Sequence, residues 1–92
     1  MRSVWGYHMN EMEHESRVRD AFDALHQKIE PRLDDASRGS LESLRGAAAD
    51  RDADRLRDQL TSVQEKHGWL YRELAEHPEV STLLNELALW GF

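Results

Sequence analysis

The chain has 92 residues, 33% charged and 39% apolar, with 18 acidic against 12 basic side chains, a net charge of −6 and no cysteine. That size allows a single domain. The acidic balance argues against nucleic acid as a partner, and the missing cysteines exclude disulfides, thiolate catalysis and cysteine-ligated zinc. No apolar run approaches the roughly 18 residues of a membrane span, and the first residues lack the apolar core of a signal peptide. A cytoplasmic protein with no membrane partner is expected. A chain this short buries only about 60–65% of the surface exposed by its unfolded form, so pairing with a second copy is an expected route to stability.

Residues 1–9 (MRSVWGYHM) have no helical period and read as an irregular arm before a single helical domain over residues 10–92. A natural start at Met9 or Met12, with the residues before it an extension, is a further expectation. Asn10 is a favoured helix cap, and Glu13 stands where its carboxylate reaches back to the cap amide. Glu11, Glu13 and Glu15 suit the positive end of a helix dipole. Glu13–Arg17 and Glu15–Arg19 are i,i+4 pairs, each worth roughly 0.2–0.5 kcal/mol. The apolar stripe is Val18, Phe22, Leu25 and Ile29, flanked by Ala21 and Ala24. Pro31 ends or kinks this helix, because it has no amide proton and disfavours helix at Glu30.

Asp34 caps the next element, whose buried face is Ser37, Leu41, Leu44 and Ala48. Gly39 and Gly46 weaken it, and Gly46 is its expected stop. The most arginine-rich window, Asp34 to Asp58, holds five arginines but seven carboxylates and so remains negative.

Asp50 is the expected cap of a long third helix. Its stripe is Leu56, Leu60, Val63, Leu70 and Leu74, with His67 filling the gap, in steps of 4, 3, 4, 3 and 4. Gly68 permits close approach of a neighbour or marks a bend. Trp69, Leu70 and Tyr71 cannot all face one core. Glu76-His77-Pro78-Glu79 is a corner, with Pro78 suited to the first position of a fourth helix. That helix carries Val80, Leu83, Leu84, Leu87 and Trp90, with Gly91 as a left-handed stop before Phe92.

Leu25-His26, Leu33-Asp34 followed by Arg38 and Leu41, Leu56 with Leu60, Glu76-His77-Pro78 and Gly91-Phe92 occur in an order that resembles a family of short helical bacterial proteins catalogued as a domain of unknown function. Those proteins carry an early Leu-His, a Leu-Asp helix start, an Ala-x-His-Pro or Glu-x-His-Pro corner and a Gly-Ile ending. The resemblance covers residues 18–92. Phe92 replaces the isoleucine, and His67-Gly68-Trp69 stands where similar proteins have a plain amphipathic helix. The resemblance implies a small helical fold and no particular activity.

Glu11-x-x-His14 has metal-ligand spacing, with Asp23-x-x-His26 as a weaker echo. Di-iron bundles need two Glu-x-x-His pairs and two further glutamates pointing inward. Glu11 and His14 are therefore read first as a solvated helix start. A metal-binding helical protein using Glu11 and His14, with His8 or His26, is the alternative function. His67 reads as a buried neutral histidine, His26 as a partner across helices and His77 as a cap; each is also a candidate pH switch, because histidine titrates near neutrality. The serines (Ser37, Ser40, Ser43, Ser62 and Ser81) lack a nucleophile elbow. Gly39 and Gly46 are isolated and make no phosphate loop. Asp34-Asp35 are helix-start charges. An enzyme is not expected, and no cofactor is implied.

The aromatic set Trp69, Tyr71, Trp90 and Phe92 reads either as filling between the last two helices or as a self-association or partner surface. The expected fold is all-α: an antiparallel four-helix bundle, or a helical hairpin with two short helices, over residues 11–30, 35–46, 51–76 and 79–90. Helices one and three are expected to pack antiparallel at a shallow angle of about 20°, and the protein to self-associate. The expected function is that of a small non-enzymatic interaction or scaffolding protein, with itself as the first partner.

Overall fold

A computed structural model describes the backbone of residues 2–90 and 92 and the side chains of residues 11–90 and 92. The chain is all-α. Its described residues form α1 (Arg2–Ile29), a 3-10 turn (Glu30–Arg32), α2 (Asp35–Ala49), α3 (Ala53–Lys66), α4 (Gly68–Glu76) and α5 (Pro78–Ala88), with no strand. No helix among them is long and apolar enough to cross a membrane.

The helix expected from Asn10 is assigned from Arg2, so Asn10 lies inside α1. The expected irregular arm and the Asn10 cap fall on residues whose side chains lie outside those described. At the other end Pro31 turns the chain through the 3-10 turn, as its missing amide requires.

Asp34 caps α2 as expected. The amide of Ser37 donates to Asp34 Oδ1 at 2.8 Å, and the Asp34 amide donates to Ser37 Oγ at 3.0 Å. This reciprocal box satisfies two otherwise orphaned amides. The helix then runs three residues past its expected stop at Gly46 and ends at Ala49. Gly46 serves α3 instead: a β-carbon there would meet Arg55 Nη2 at 3.0 Å. Asp50 closes α2 rather than opening α3. Arg51 takes a left-handed φ of 54° to reverse the chain, and Asp52 caps α3 by accepting from the Arg55 amide at 3.1 Å.

The expected long third helix is two helices, so five stand where four were foreseen. His67, at φ −137° and ψ 67°, separates them. Its amide still donates to Val63 O at 2.7 Å, while its own carbonyl takes the amides of Leu70 and Tyr71 at 3.0 and 3.1 Å. At the next corner Pro78 opens α5, and the Val80 amide donates to His77 Nδ1 at 3.3 Å. The helix stops at Ala88 through Leu89, which adopts φ 52°. Gly91, the expected stop, lies outside the described residues.

The stripes meet in one core that includes Val18, Phe22, Leu25 and Ile29 of α1, Leu56, Leu60 and Val63 of α3, and Leu83 and Leu84 of α5. Burying each such side chain contributes roughly 1.5–3 kcal/mol. Pairings along α1 show its direction relative to α2. Glu30 meets Arg38, Asp23 meets Arg45, His14 meets Ala48 and Glu11 meets Arg51, so the two helices are antiparallel. The main neighbours of α1 are α2 and α5, and α3 forms a hairpin with α2. The expected pairing of the first helix with the third is therefore replaced. Only three residues link α2 to α3, and that short turn holds α3 on α2.

Candidate functional site

The corner at His77 folds α5 back along α4, so the start of α4 meets the end of α5. Tyr71 thereby comes against Trp90, 19 residues later. The Trp90 indole Nε1 donates to Tyr71 Oη at 2.7 Å, and the two ring centroids lie 6.5 Å apart, edge to face. Phe92 completes the group, 5.4 Å from Tyr71 and 6.5 Å from Trp90, both at steep interplanar angles. Such edge-on pairs are the preferred aromatic geometry. Two polar contacts fix the segment: the Phe92 amide donates to Asn85 Oδ1 at 3.1 Å, and Arg57 Nε donates to Ala88 O at 2.9 Å. The second satisfies a carbonyl that the end of α5 leaves without a helical partner. Leu89 directly precedes Trp90 in the chain and is 81% exposed.

Trp69 is not part of this group. Positions two apart on a helix point about 200° apart, so Trp69 and Tyr71 leave α4 on opposite sides. The Arg32 guanidinium lies 4.5 Å over the Trp69 ring and also bonds Glu73 at 2.9 Å, with Lys28 3.7 Å from the same carboxylate. The four predicted site residues are thus three in one cluster and one in another. All four are half-buried and packed against the core.

A second feature is an open groove of about 720 Å³ between α1, α5 and the turn after α2, lined by Glu11, His14, Arg17, Arg51, Leu83 and Glu86 among others. Arg17 and Glu86 bridge α1 and α5 with two bonds, at 2.7 and 2.9 Å. This fork-to-fork geometry holds the Glu86 carboxyl below its ordinary range, the hydrogen bond being the largest cause. The Arg17 guanidinium therefore turns to Glu86 rather than to the expected Glu13. Arg19 pairs with Asp20 at 3.6 Å rather than with Glu15.

The solvated helix start expected at Glu11 and His14 is corrected at His14, which is buried. Its Nε2 lies 2.9 Å from Ala48 O, and since a carbonyl only accepts, the nitrogen is the donor. Glu11 faces Arg51 at 3.7 Å. Asp23 faces Arg45 at 3.6 Å, and His26 contacts Glu30 and, at 3.5 Å, Arg38. Among the described residues no three metal-ligating side chains converge; the side chain of His8 is outside them. His67, expected in the core, is half-buried at the break. His77 caps α5 as expected.

Two more carboxyls sit below their ordinary range. Arg38 holds down Glu30, mainly through its hydrogen bond, with His26 adding to the effect. The Ser37 amide and hydroxyl hold down Asp34, with His67 contributing.

The sequence did carry a signal for His14. It stands four residues before Val18 and extends that stripe by one turn. Nothing local signals the Arg17–Glu86 bridge, whose partners are 69 residues apart.

Comparison with protein-family models, with curated proteins and with solved structures returns no match.

Proposed function

We propose that the chain is a small non-enzymatic helical protein that acts by binding another protein, and that its docking surface is the patch formed by Tyr71, Leu89, Trp90 and Phe92. Leu89 carries this reading. It is 81% exposed and sits in the left-handed region, which is unfavourable for a side chain with a β-carbon. Exposure and backbone both cost stability in the isolated chain, and a partner covering the patch offsets the first. The neighbouring aromatic rings are the residue types that dominate the centres of interfaces. A second copy is the first partner to test, because a small chain gains most from a shared apolar face and a two-fold contact needs only one self-complementary surface. The likeness to the short bacterial family, resting on Leu25-His26, Leu33-Asp34 and Glu76-His77-Pro78, belongs to the same proposal.

Light scattering over a range of concentrations tests the surface. The wild-type chain is expected to associate, and Leu89→Asp and Trp90→Ala to associate less, with Leu89→Asp keeping its melting temperature. Association that is unchanged in Leu89→Asp would remove the patch from consideration.

A further inference from the structure

The apolar stripe Leu56, Leu60, Val63, His67, Leu70 and Leu74 keeps its steps of 4, 3, 4, 3 and 4 straight through the break at His67. Sharp helix bends ordinarily have a local cause such as proline. Residues 53–76 contain no proline, and Gly68, directly after the break, is their one glycine. A single residue makes the bend, and among the described residues the amides of Gly68 and Trp69 make no backbone bond to the preceding turn. In a straight helix they would donate to the carbonyls of Gln64 and Glu65. Gly68 costs a straight helix about 1 kcal/mol relative to Ala and eases the bend, but the stripe itself stays in register with one rod.

Across the bend, residues 68–92 pack on the rest of the chain. Three hydrogen-bonded residue pairs mark that seam. Arg17 bonds Glu86 at 2.7 Å, Arg32 bonds Glu73 at 2.9 Å, and Arg57 Nε donates to Ala88 O at 2.9 Å. Beneath them α5 lies against α1 and α3. Every one of these contacts joins the segment after His67 to the segment before it. None requires both segments to belong to one copy.

We infer that His67 is the hinge of a domain-swapped dimer. Straightening residues 53–76 into one helix, roughly 36 Å long, carries α4 and α5 onto a second copy, where the same three pairs form between chains. The partner is a second copy because it presents the same α1, 3-10 turn and α3. Each chain gains two backbone bonds, while two molecules become one, so the balance moves with concentration. The α4–α5 unit moves whole, so this inference stands apart from the role of the patch around Leu89.

Position 68 tests the hinge. A β-carbon at Gly68 meets nothing within 4 Å, so the folded monomer accepts a side chain there. Gly68→Pro suits the first position of α4 but breaks a straight helix, and it should weaken the dimer roughly a hundredfold per copy. Gly68→Ala favours the straight form and should strengthen the dimer roughly tenfold. The chain has no cysteine, so introduced pairs report connectivity directly. Arg17→Cys with Glu86→Cys, and separately Lys28→Cys with Glu73→Cys, are to be joined by a short dithiol-reactive cross-linker in the dimer fraction from size exclusion. The second pair guards against loss of the Arg17–Glu86 bridge in the first.

The expected result is a covalent band at twice the chain mass from both pairs, a dimer enriched in Gly68→Ala and a dimer lost in Gly68→Pro. Cross-links confined to single chains would overturn the swap, as would a dimer undiminished in Gly68→Pro or a Gly68→Ala chain that stays monomeric at millimolar concentration. A dimer lost in Leu89→Asp and cross-linked only within chains would overturn the swap while leaving the patch as the contact.

Discussion

The imidazole of His14 crosses from α1 to α2 and donates from Nε2 to the carbonyl of Ala48 at 2.9 Å, in a buried position next to the last residue of that helix. The Arg51 amide bonds the same oxygen at 3.2 Å, so both lone pairs of the carbonyl are in use. One histidine thus ties the end of α2 and the following turn to α1.

His14→Ala removes a buried donor and leaves a void. A loss of about 2–3 kcal/mol is expected, read as a lower urea midpoint at unchanged slope. His14→Gln keeps an amide donor and should recover part of the loss. A loss below about 0.5 kcal/mol would place the residue among ordinary surface positions.

Acid should weaken the fold through a small set of carboxylates. Glu86 and Glu30 lie below the ordinary 4.5, chiefly through hydrogen bonds from Arg17 and Arg38, and Asp34 lies below 3.8, chiefly through the Ser37 amide. A group held down in the folded state binds its proton more readily when unfolded. Its stabilisation is therefore full above the ordinary value and is lost as pH falls through the folded one. The urea midpoint should drop as pH is lowered from about 4.5. Glu86→Gln should start lower at neutral pH, by less than about 1 kcal/mol because the pair is half-exposed, and should lose less on acidification. An equal acid loss in both proteins would show that the bridge contributes nothing.

Tyr71→Phe keeps the ring and deletes the acceptor of the Trp90 indole, 2.7 Å away. The expected cost is about 0.5–1.5 kcal/mol in thermal unfolding. The indole emission should shift as well, and a Trp90→Ala control identifies which tryptophan moved. No change in either reading would mean that water replaces the phenol without penalty.

His77→Ala should cost about 1 kcal/mol, because the Val80 amide loses the acceptor that it holds at 3.3 Å. His77→Asn supplies a better cap and should restore or exceed wild-type stability. Melting temperatures of the two variants decide it; equal losses would point to lost packing rather than a lost cap.

Much of this architecture was legible in the residues. The stripe from Val18 to Ile29, the Asp34 cap and the His77-Pro78 corner are local patterns, and local patterns survive folding. The stripe from Leu56 to Leu74 was equally legible and hid the break, because the spacing stays in phase across His67, where the chain divides into α3 and α4. Asp50 and Asp52 both carry a capping side chain. The choice between them fell to Arg51, which turns left-handed so that α3 can lie along α2. Trp69 and Tyr71 looked like one aromatic set until the helix between them put their rings on opposite sides. Arg17 had a plausible neighbour in Glu13, and only the return of α5 brought Glu86 closer.

The connectors are Leu33 and Asp34, residues 50–52, and the single residues His67 and His77. With so little slack between rods, a digestive protease has almost nothing to grip. Of the 12 basic side chains that trypsin reads, Arg51 is the one that stands in a connector among the described residues, half-exposed and outside any helix. A brief digestion should therefore nick the native chain there first, separating α1 and α2 from the remainder, ahead of the bonds after Arg32 and Lys66, whose basic residues are the last of a 3-10 turn and of a helix.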